Sequence, residues 1–219
     1  MYSHLPAFFI ETMQSLNFNY HHPLFEKTIQ LYGDRAGGQG NFEFAGLAEL
    51  KDIQIVILIG NSDSLSQPAD WRRFLRLINL AHRLNKPILL WNLSIMYVAS
   101  NQHHTSLALG TVIHDTKLQL LRVPQPIISV CDENYMRVSV VEEELEWVDG
   151  KVIVKPDADN SIEVSEFNQE NLRMVDRSTE ISDEIIDLIN ILSNVEKEVL
   201  IANRLECLHR YAKKNSDFN

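Results

Sequence analysis

Residues 51–61, KDIQIVILIGN, form an Ile/Val/Leu run with no polar alternation, as in strands buried on both faces of a sheet. A strand with no polar face has nothing to offer water, so layers of other elements must cover both of its sides. The next segment supplies one such layer. Pro68 opens ADWRRFLRLINLAHRLNK, in which Trp71, Phe74, Leu75, Ile78, Ala81 and Leu84 recur at helical steps with arginines on the outer face. KPILLWNL (86–93) is the next buried strand. Strand, helix and strand in this order predict a right-handed crossover between parallel strands, and hence an α/β fold.

The same pattern extends in both directions. SLALGTVIHDTKLQLLRV (106–123) predicts a second helix, Pro124 and Pro126 stop it, and PIISVCDE (126–133) predicts a third strand. FEFAGLAEL (42–50) predicts a short strand ahead of the buried run. Residues 6–31 read as helices, one with the face Phe8, Phe9, Met13 and Leu16, the next with Leu24, Phe25, Ile29 and Leu31. After residue 133 the pattern alternates, in MRVSVVEEELEWV and KVIVKPDADNSIEV, and Asp149-Gly150 between them predicts an antiparallel hairpin. Within EEELEW (142–147), alternation puts Glu142, Glu144 and Glu146 on one solvated face and Glu143 on the other. Residues 182–214 read as a long helical stretch that Asn194 interrupts. The expected organisation is one domain over residues 1–180 with a C-terminal helical segment, 181–219, packing on it or on a partner.

Charge and cysteine usage narrow the function classes. Thirty acidic against twenty basic residues give a formal net charge of −10, which repels phosphate backbones and anionic lipid and argues against nucleic-acid or membrane binding. Cys131 and Cys207 are too few for a disulfide framework and lack paired C-x-x-C spacing, so a reducing, cytoplasmic setting and no metal are expected. The first residues, MYSHLPAFFIETMQSLNF, lack a basic n-region, and no stretch approaches the roughly eighteen apolar residues of a membrane span. The histidines, His21-His22, His82, His103-His104 and His114 among them, form no H-E-x-x-H and no i, i+4 pair. Cys131, at the end of a buried strand, reads as a small hydrophobe. Ser62, Ser64 and Ser66 lack a G-x-S-x-G elbow.

LYGDRAGGQG (31–40) is the one glycine-rich stretch. A phosphate loop needs a strand before it and a helix after it, with backbone N–H groups converging at the helix start. Here the expected order is helix then strand, and no Lys-Ser or Lys-Thr pair is present. The wider segment HPLFEKTIQLYGDRAGGQGNFEFAGLAELKDIQIVILIG instead resembles the acetyl-CoA carboxylase carboxyltransferase alpha subunits, in which an HGDR motif precedes a G-G-(I/L)-A strand. The corresponding residues are Tyr32-Gly33-Asp34-Arg35 and Ala45-Gly46-Leu47-Ala48. FLRLINLAHRLNKPILLWN, LRVPQPIISV and the C-terminal RLECLHRYAKKNSDF resemble further stretches of that family in the same order.

The resemblance implies a crotonase-like core of repeated ββα units in the ClpP/crotonase superfamily. It implies a subunit that associates with itself or with a carboxyltransferase beta-type subunit, and that handles CoA or another acyl thioester, or an acyl-carrier protein, in fatty-acid or polyketide metabolism. Family members stabilise oxyanions through two glycine-rich turns after the second and third buried strands. This sequence has Leu93-Ser94-Ile95-Met96-Tyr97 and Asp132-Glu133-Asn134-Tyr135-Met136-Arg137 there, and Gly110 is the only glycine between Asn61 and Val148. Losing one oxyanion donor costs about a hundred- to a thousandfold in rate. The expectation is a degenerate, shortened pseudoenzyme that binds acyl thioesters or associates, with no covalent cofactor. The alternative is an acyl-CoA or acyl-carrier-protein decarboxylase or hydrolase with a rebuilt site, whose donors would be Asn92, Ser94, Asn134 and Tyr135.

Overall fold

The computed structural model describes residues 24–32, 40–61, 64–93, 107–131, 148–154, 171–175 and 181–216. Seven strands lie side by side in chain order: β1 (Lys27–Gln30), β2 (Phe44–Leu50), β3 (Ile53–Ile59), β4 (Ile88–Trp91), β5 (Ile127–Cys131), β6 (Gly150–Val154) and β7 (Leu172–Val175). β1, β2 and β3 pair antiparallel, and β3 through β7 pair parallel. The described helices are α1 (Pro68–Leu84), α2 (Leu107–Arg122), α3 (Ile181–Ser193) and α4 (Lys197–Ser216). The class is α/β, as expected.

The unbroken run of β3 is explained by layers on both sides. Val56 and Leu58 pack with Trp71, Phe74 and Ile78 of α1 and with Leu120 of α2. Ile55, Ile57 and Ile59 pack on the opposite face with Ile185, Leu188 and Leu192 of α3. Each aliphatic side chain so buried contributes about 1.5–3 kcal/mol. Lys51 and Asp52, at φ 44° and 68°, make the two-residue turn between β2 and β3, the left-handed pair that matches strand twist. Gly46 lets β1 lie close, because a Cβ there would stand 2.0 Å from the Ile29 carbonyl oxygen.

α1 starts as the sequence predicts, with Pro68 at its first position. It is fixed by a reciprocal box in which Gln67 caps the start and the Asp70 carboxylate accepts from the Gln67 N–H at 3.1 Å. It ends on Asn85, whose φ of 52° is left-handed. Asn194 does interrupt the C-terminal stretch: its N–H donates to Ile191 and its side-chain amide to the Asn190 carbonyl at 2.8 Å, closing α3 before α4 begins.

Two expectations fail. Residues 27–30 are strand, not helix, and register on β2 from Lys27↔Glu49 to Gln30↔Gly46. The spacing of Leu24, Phe25, Ile29 and Leu31 is short enough to fit either period, and pairing with β2 decides it. Nor does Asp149-Gly150 turn a hairpin within the described residues. Gly150 is the first residue of β6, which runs parallel to both β5 and β7. Asp149 is 6% exposed and bound to Arg204, and a Cβ on Gly150 would meet Leu192 and Leu188 of α3 at 3.2 and 3.4 Å. The dipeptide that imitates a turn in sequence is a buried strand entry. The other limb of the expected ribbon, 136–147, and the expected helix before residue 24 lie outside the described residues.

Arg204 ties α4 to the rest. Its Nε donates to Asp149 Oδ1 at 2.8 Å, Nη2 to the other carboxylate oxygen and to the Gln125 carbonyl at 2.8 Å, and Nη1 to the carbonyls of Leu120 and Val123. These acceptors end α2 and lead into β5 and β6, so one buried guanidinium gathers the amino ends of β5 and β6. Burial pushes the Asp149 carboxyl above its ordinary range, and the Arg204 hydrogen bond and charge oppose that rise.

Candidate functional site

In open parallel sheets ligands meet the carboxyl ends of the strands, because loops and helix starts gather there. Here that edge is formed by Gly60 and Asn61 after β3, Asn92 and Leu93 after β4, and Cys131 at the end of β5. The approach is tight: a Cβ on Gly60 would lie 2.5 Å from the Asn92 carbonyl oxygen and 2.7 Å from Leu93 Cδ1. Asn92 itself has φ 49°, a left-handed conformation that asparagine tolerates better than most side chains. Asparagine thus occupies a turn conformation that glycine usually supplies.

Among the described residues of this edge, the N–H groups of Gly60, Asn61 and Asn92 are engaged by the chain. Gly60 N–H donates to the Trp91 carbonyl at 2.8 Å, and Asn92 N–H donates to the Val130 carbonyl at 2.9 Å, extending the parallel ladder. Asn61 N–H donates to Ser64 Oγ at 2.9 Å. An oxyanion hole needs such groups aimed at the ligand, and these three are aimed at neighbouring strands and at a loop side chain.

Beside this edge, the start of α1 is held by a polar cluster. Asp70, fully buried, accepts from Asn41 N–H at 2.5 Å and from Gln67 N–H. Burial raises its carboxyl above the ordinary range, and those backbone N–H groups and Arg73 act against that rise. Ser64 Oγ donates to the Asn41 carbonyl at 3.2 Å, and Asn41 Nδ2 donates to Ser66 Oγ at 3.2 Å. Arg73, 4% exposed, donates to the Ala45 carbonyl at 3.3 Å and stacks near Tyr32 and Phe42, with its guanidinium 5.9 and 5.8 Å from the ring centroids. Burial lowers Arg73 to about 10, which leaves it charged at neutral pH. Tyr32 and Gly40 flank the glycine-rich stretch, so this cluster anchors its two ends against α1. Residues 33–39 between them lie outside the described residues.

Of the four donors expected from the sequence, Asn92 stands at the strand edge. Ser94, Asn134 and Tyr135 lie outside the described residues. Cys131 is 1% exposed, with Sγ 3.8 Å from Ser129 Oγ, in keeping with a packed rather than a displayed thiol. Sequence reasoning missed Lys151, 1% exposed and in register with Ser129. Its signal is a lysine opening the apolar run KVIV, and alternation assigns that lysine to an exposed ribbon. Glu26, Glu49 and Asp52 bring carboxylates together at the β1–β2 end, where Lys27 Nζ binds Glu49 at 2.7 Å on an exposed surface. Among the described residues, no helix is long and apolar enough to cross a membrane.

No family model matches the chain, and no curated protein matches it. Solved structures do. The beta subunit of geranyl-CoA carboxylase from P. aeruginosa is 16% identical, the match covering 70% of this chain and 31% of that one, with a TM-score of 0.41. The transcarboxylase 12S structure, a hexamer with methylmalonyl-coenzyme A and methylmalonic acid bound, is 11% identical over 90% of this chain and 34% of its own, with a TM-score of 0.40. An enoyl-CoA hydratase/carnithine racemase from Magnetospirillum magneticum is 12% identical over 75% of this chain and 68% of its own, with a TM-score of 0.33. The chain spans about a third of the length of the first two. At identities of 11% to 16% and TM-scores of 0.33 to 0.41, the chemistry rests on this chain's own residues.

Proposed function

We propose that the chain is a crotonase-type protein, similar to carboxyltransferase alpha subunits, that binds an acyl thioester at the carboxyl ends of β3–β5 and acts through association. It forms oligomers with itself or with a carboxyltransferase beta-type subunit. The observation that carries this reading is the pairing of Gly60 with Asn92. The main chain still closes to a separation that only glycine allows, while its N–H groups are spent on Trp91, Val130 and Ser64. Among the described residues, the N–H groups of Gly60, Asn61 and Asn92 thus go to acceptors within the chain and do not converge on a common point.

The test has two arms. CoA, acetyl-CoA and malonyl-CoA are titrated while the melting temperature is followed; a ligand at a hundred times its Kd adds about 2.7 kcal/mol of stability, a readily measured shift. Turnover is then assayed as carboxyl transfer and as malonyl-thioester decarboxylation, alone and with a beta-type partner. The proposal expects a shift and no turnover by the chain alone. Absence of any shift removes the binding role. Turnover at an ordinary enzymatic rate, abolished by Asn92→Ala or Ser94→Ala, favours instead the rebuilt site of Asn92, Ser94, Asn134 and Tyr135.

A further inference from the structure

The outer face of α1 is basic although the chain as a whole is acidic. Between Pro68 and Lys86 the only acidic residue is Asp70, and it is fully buried under the helix start. The same stretch carries Arg72, Arg73, Arg76, Arg83 and Lys86, in a protein whose formal net charge is −10. Arg73 faces inward, 4% exposed. Arg72, Arg76 and Arg83 are separated by steps of four and seven residues, so they share one outward face, with Arg76 and Arg83 exposed.

An apolar recess lies at the C-terminal end of α1, lined from that helix by Leu84 and not by the three arginines. Leu84, 44% exposed, and Ile29, 42% exposed, line it with Leu47, in a recess of about 270 Å³ whose rim includes Lys27, Gln54 and Lys86. Glu49 lines that rim and is bound by Lys27, with the carboxylates of Glu26 and Asp52 within 4.8 Å of it. A row of cations beside an apolar recess complements an amphipathic helix that is acidic on one side and apolar on the other. A solvated surface helix needs neither the absence of exposed acids nor the adjacent exposed leucine and isoleucine. The stripe is also placed with respect to the strand edge. α1 begins at Pro68, next to Asn41 and Ser66, and its 17 residues lead away over about 25 Å. A protein docked along it has its near end beside the ligand edge.

We propose that this face docks an acyl-carrier-type protein, a small acidic helical partner that presents its acyl group as a thioester on a flexible arm. One acidic helix of the carrier would lie along Arg72, Arg76 and Arg83, its apolar side against Leu84 and Ile29, and the arm would extend toward Gly60 and Asn92. The inference rests on the acyl-thioester reading of the strand edge and specifies how the thioester arrives.

The experiment uses the full chain and a fluorescently labelled holo-acyl-carrier protein, with anisotropy as the readout at low and at physiological salt. Wild type is expected to bind, more weakly as salt rises. Arg76→Glu with Arg83→Glu is expected to weaken binding at least about tenfold, Leu84→Ala about threefold, and Arg76→Lys with Arg83→Lys much less than the charge reversal. Free acetyl-CoA is titrated against the same variants by thermal shift. An unchanged acetyl-CoA response with lost carrier binding supports the docking face. Carrier binding that ignores both substitutions, or no carrier binding by wild type, overturns it while leaving the acyl-thioester reading to its own test. Loss of acetyl-CoA binding in the charge-reversed variant also overturns it, because the stripe would then be serving nucleotide phosphates.

Discussion

At the scale of single residues, the site depends on close approaches more than on charges. Gly60→Ala places a methyl 2.5 Å from the Asn92 carbonyl oxygen, so backbone must move. We expect a stability loss of about 1–3 kcal/mol by urea titration and, on the proposal that acyl-CoA binds at this edge, a larger fall in the melting shift it induces than the same loss causes at a site remote from β4. Asp70 makes a different prediction, in pH. Burial raises its carboxyl above the value of 3.8 found in an unfolded chain. Below that value both states are protonated, and between it and the raised folded value only the folded state keeps the proton. The stability contributed by Asp70 is therefore full at low pH and is lost as pH rises through the folded value. Asp70→Asn, which cannot titrate, should be more costly relative to wild type at about pH 4 than at about pH 7, measured by denaturant unfolding at both. An equal cost at both would show that the carboxyl does not titrate with folding.

At the scale of elements, the amino end of the sheet hangs on α4. Arg204→Met removes five donated hydrogen bonds and leaves Asp149 buried with only the Ile127 N–H at 2.8 Å. Breaking one side of a buried pair costs about 3–5 kcal/mol, and that range is expected in urea unfolding. Adding Asp149→Asn should return part of the loss, because a neutral amide oxygen still accepts from Ile127 without a stranded charge. A double variant no better than the single one would show that the carbonyls of Leu120, Val123 and Gln125 carry the effect. α3 and α1 are less exposed to single changes, since each contributes several core side chains to its layer.

For the whole molecule, the central units are legible in the sequence. β3, α1, β4, α2 and β5 follow from apolar runs, a 3.6-residue period and the prolines at 68, 124 and 126, signals that lie within each segment. The places where sequence and structure part are those decided by distant partners. The strand nature of 27–30 depends on Gly46, and the burial of Asp149 depends on a residue in α4. Asn92 can be named from sequence because it comes directly after a strand. The engagement of its N–H by Val130 cannot, because that depends on how β4 and β5 register. The whole fold also predicts the outcome of truncation. A chain ending at Asn194 keeps all seven described strands but loses Leu200 and Arg204 from buried positions, and circular dichroism should show a lower, broader melt than Arg204→Met produces.

The contact between Asp149 and Arg204 bears on biosynthesis too. The two residues are separated by 55 positions, so at about 10 residues per second a ribosome releases the carboxylate several seconds before its counter-ion exists. Until then the last strands carry a charge that they cannot bury, and the sheet stays unfinished however long its earlier strands have been available. The guanidinium of α4 is thus a checkpoint in time as well as a brace in space: the nascent chain can complete this core only after α4 itself has been made.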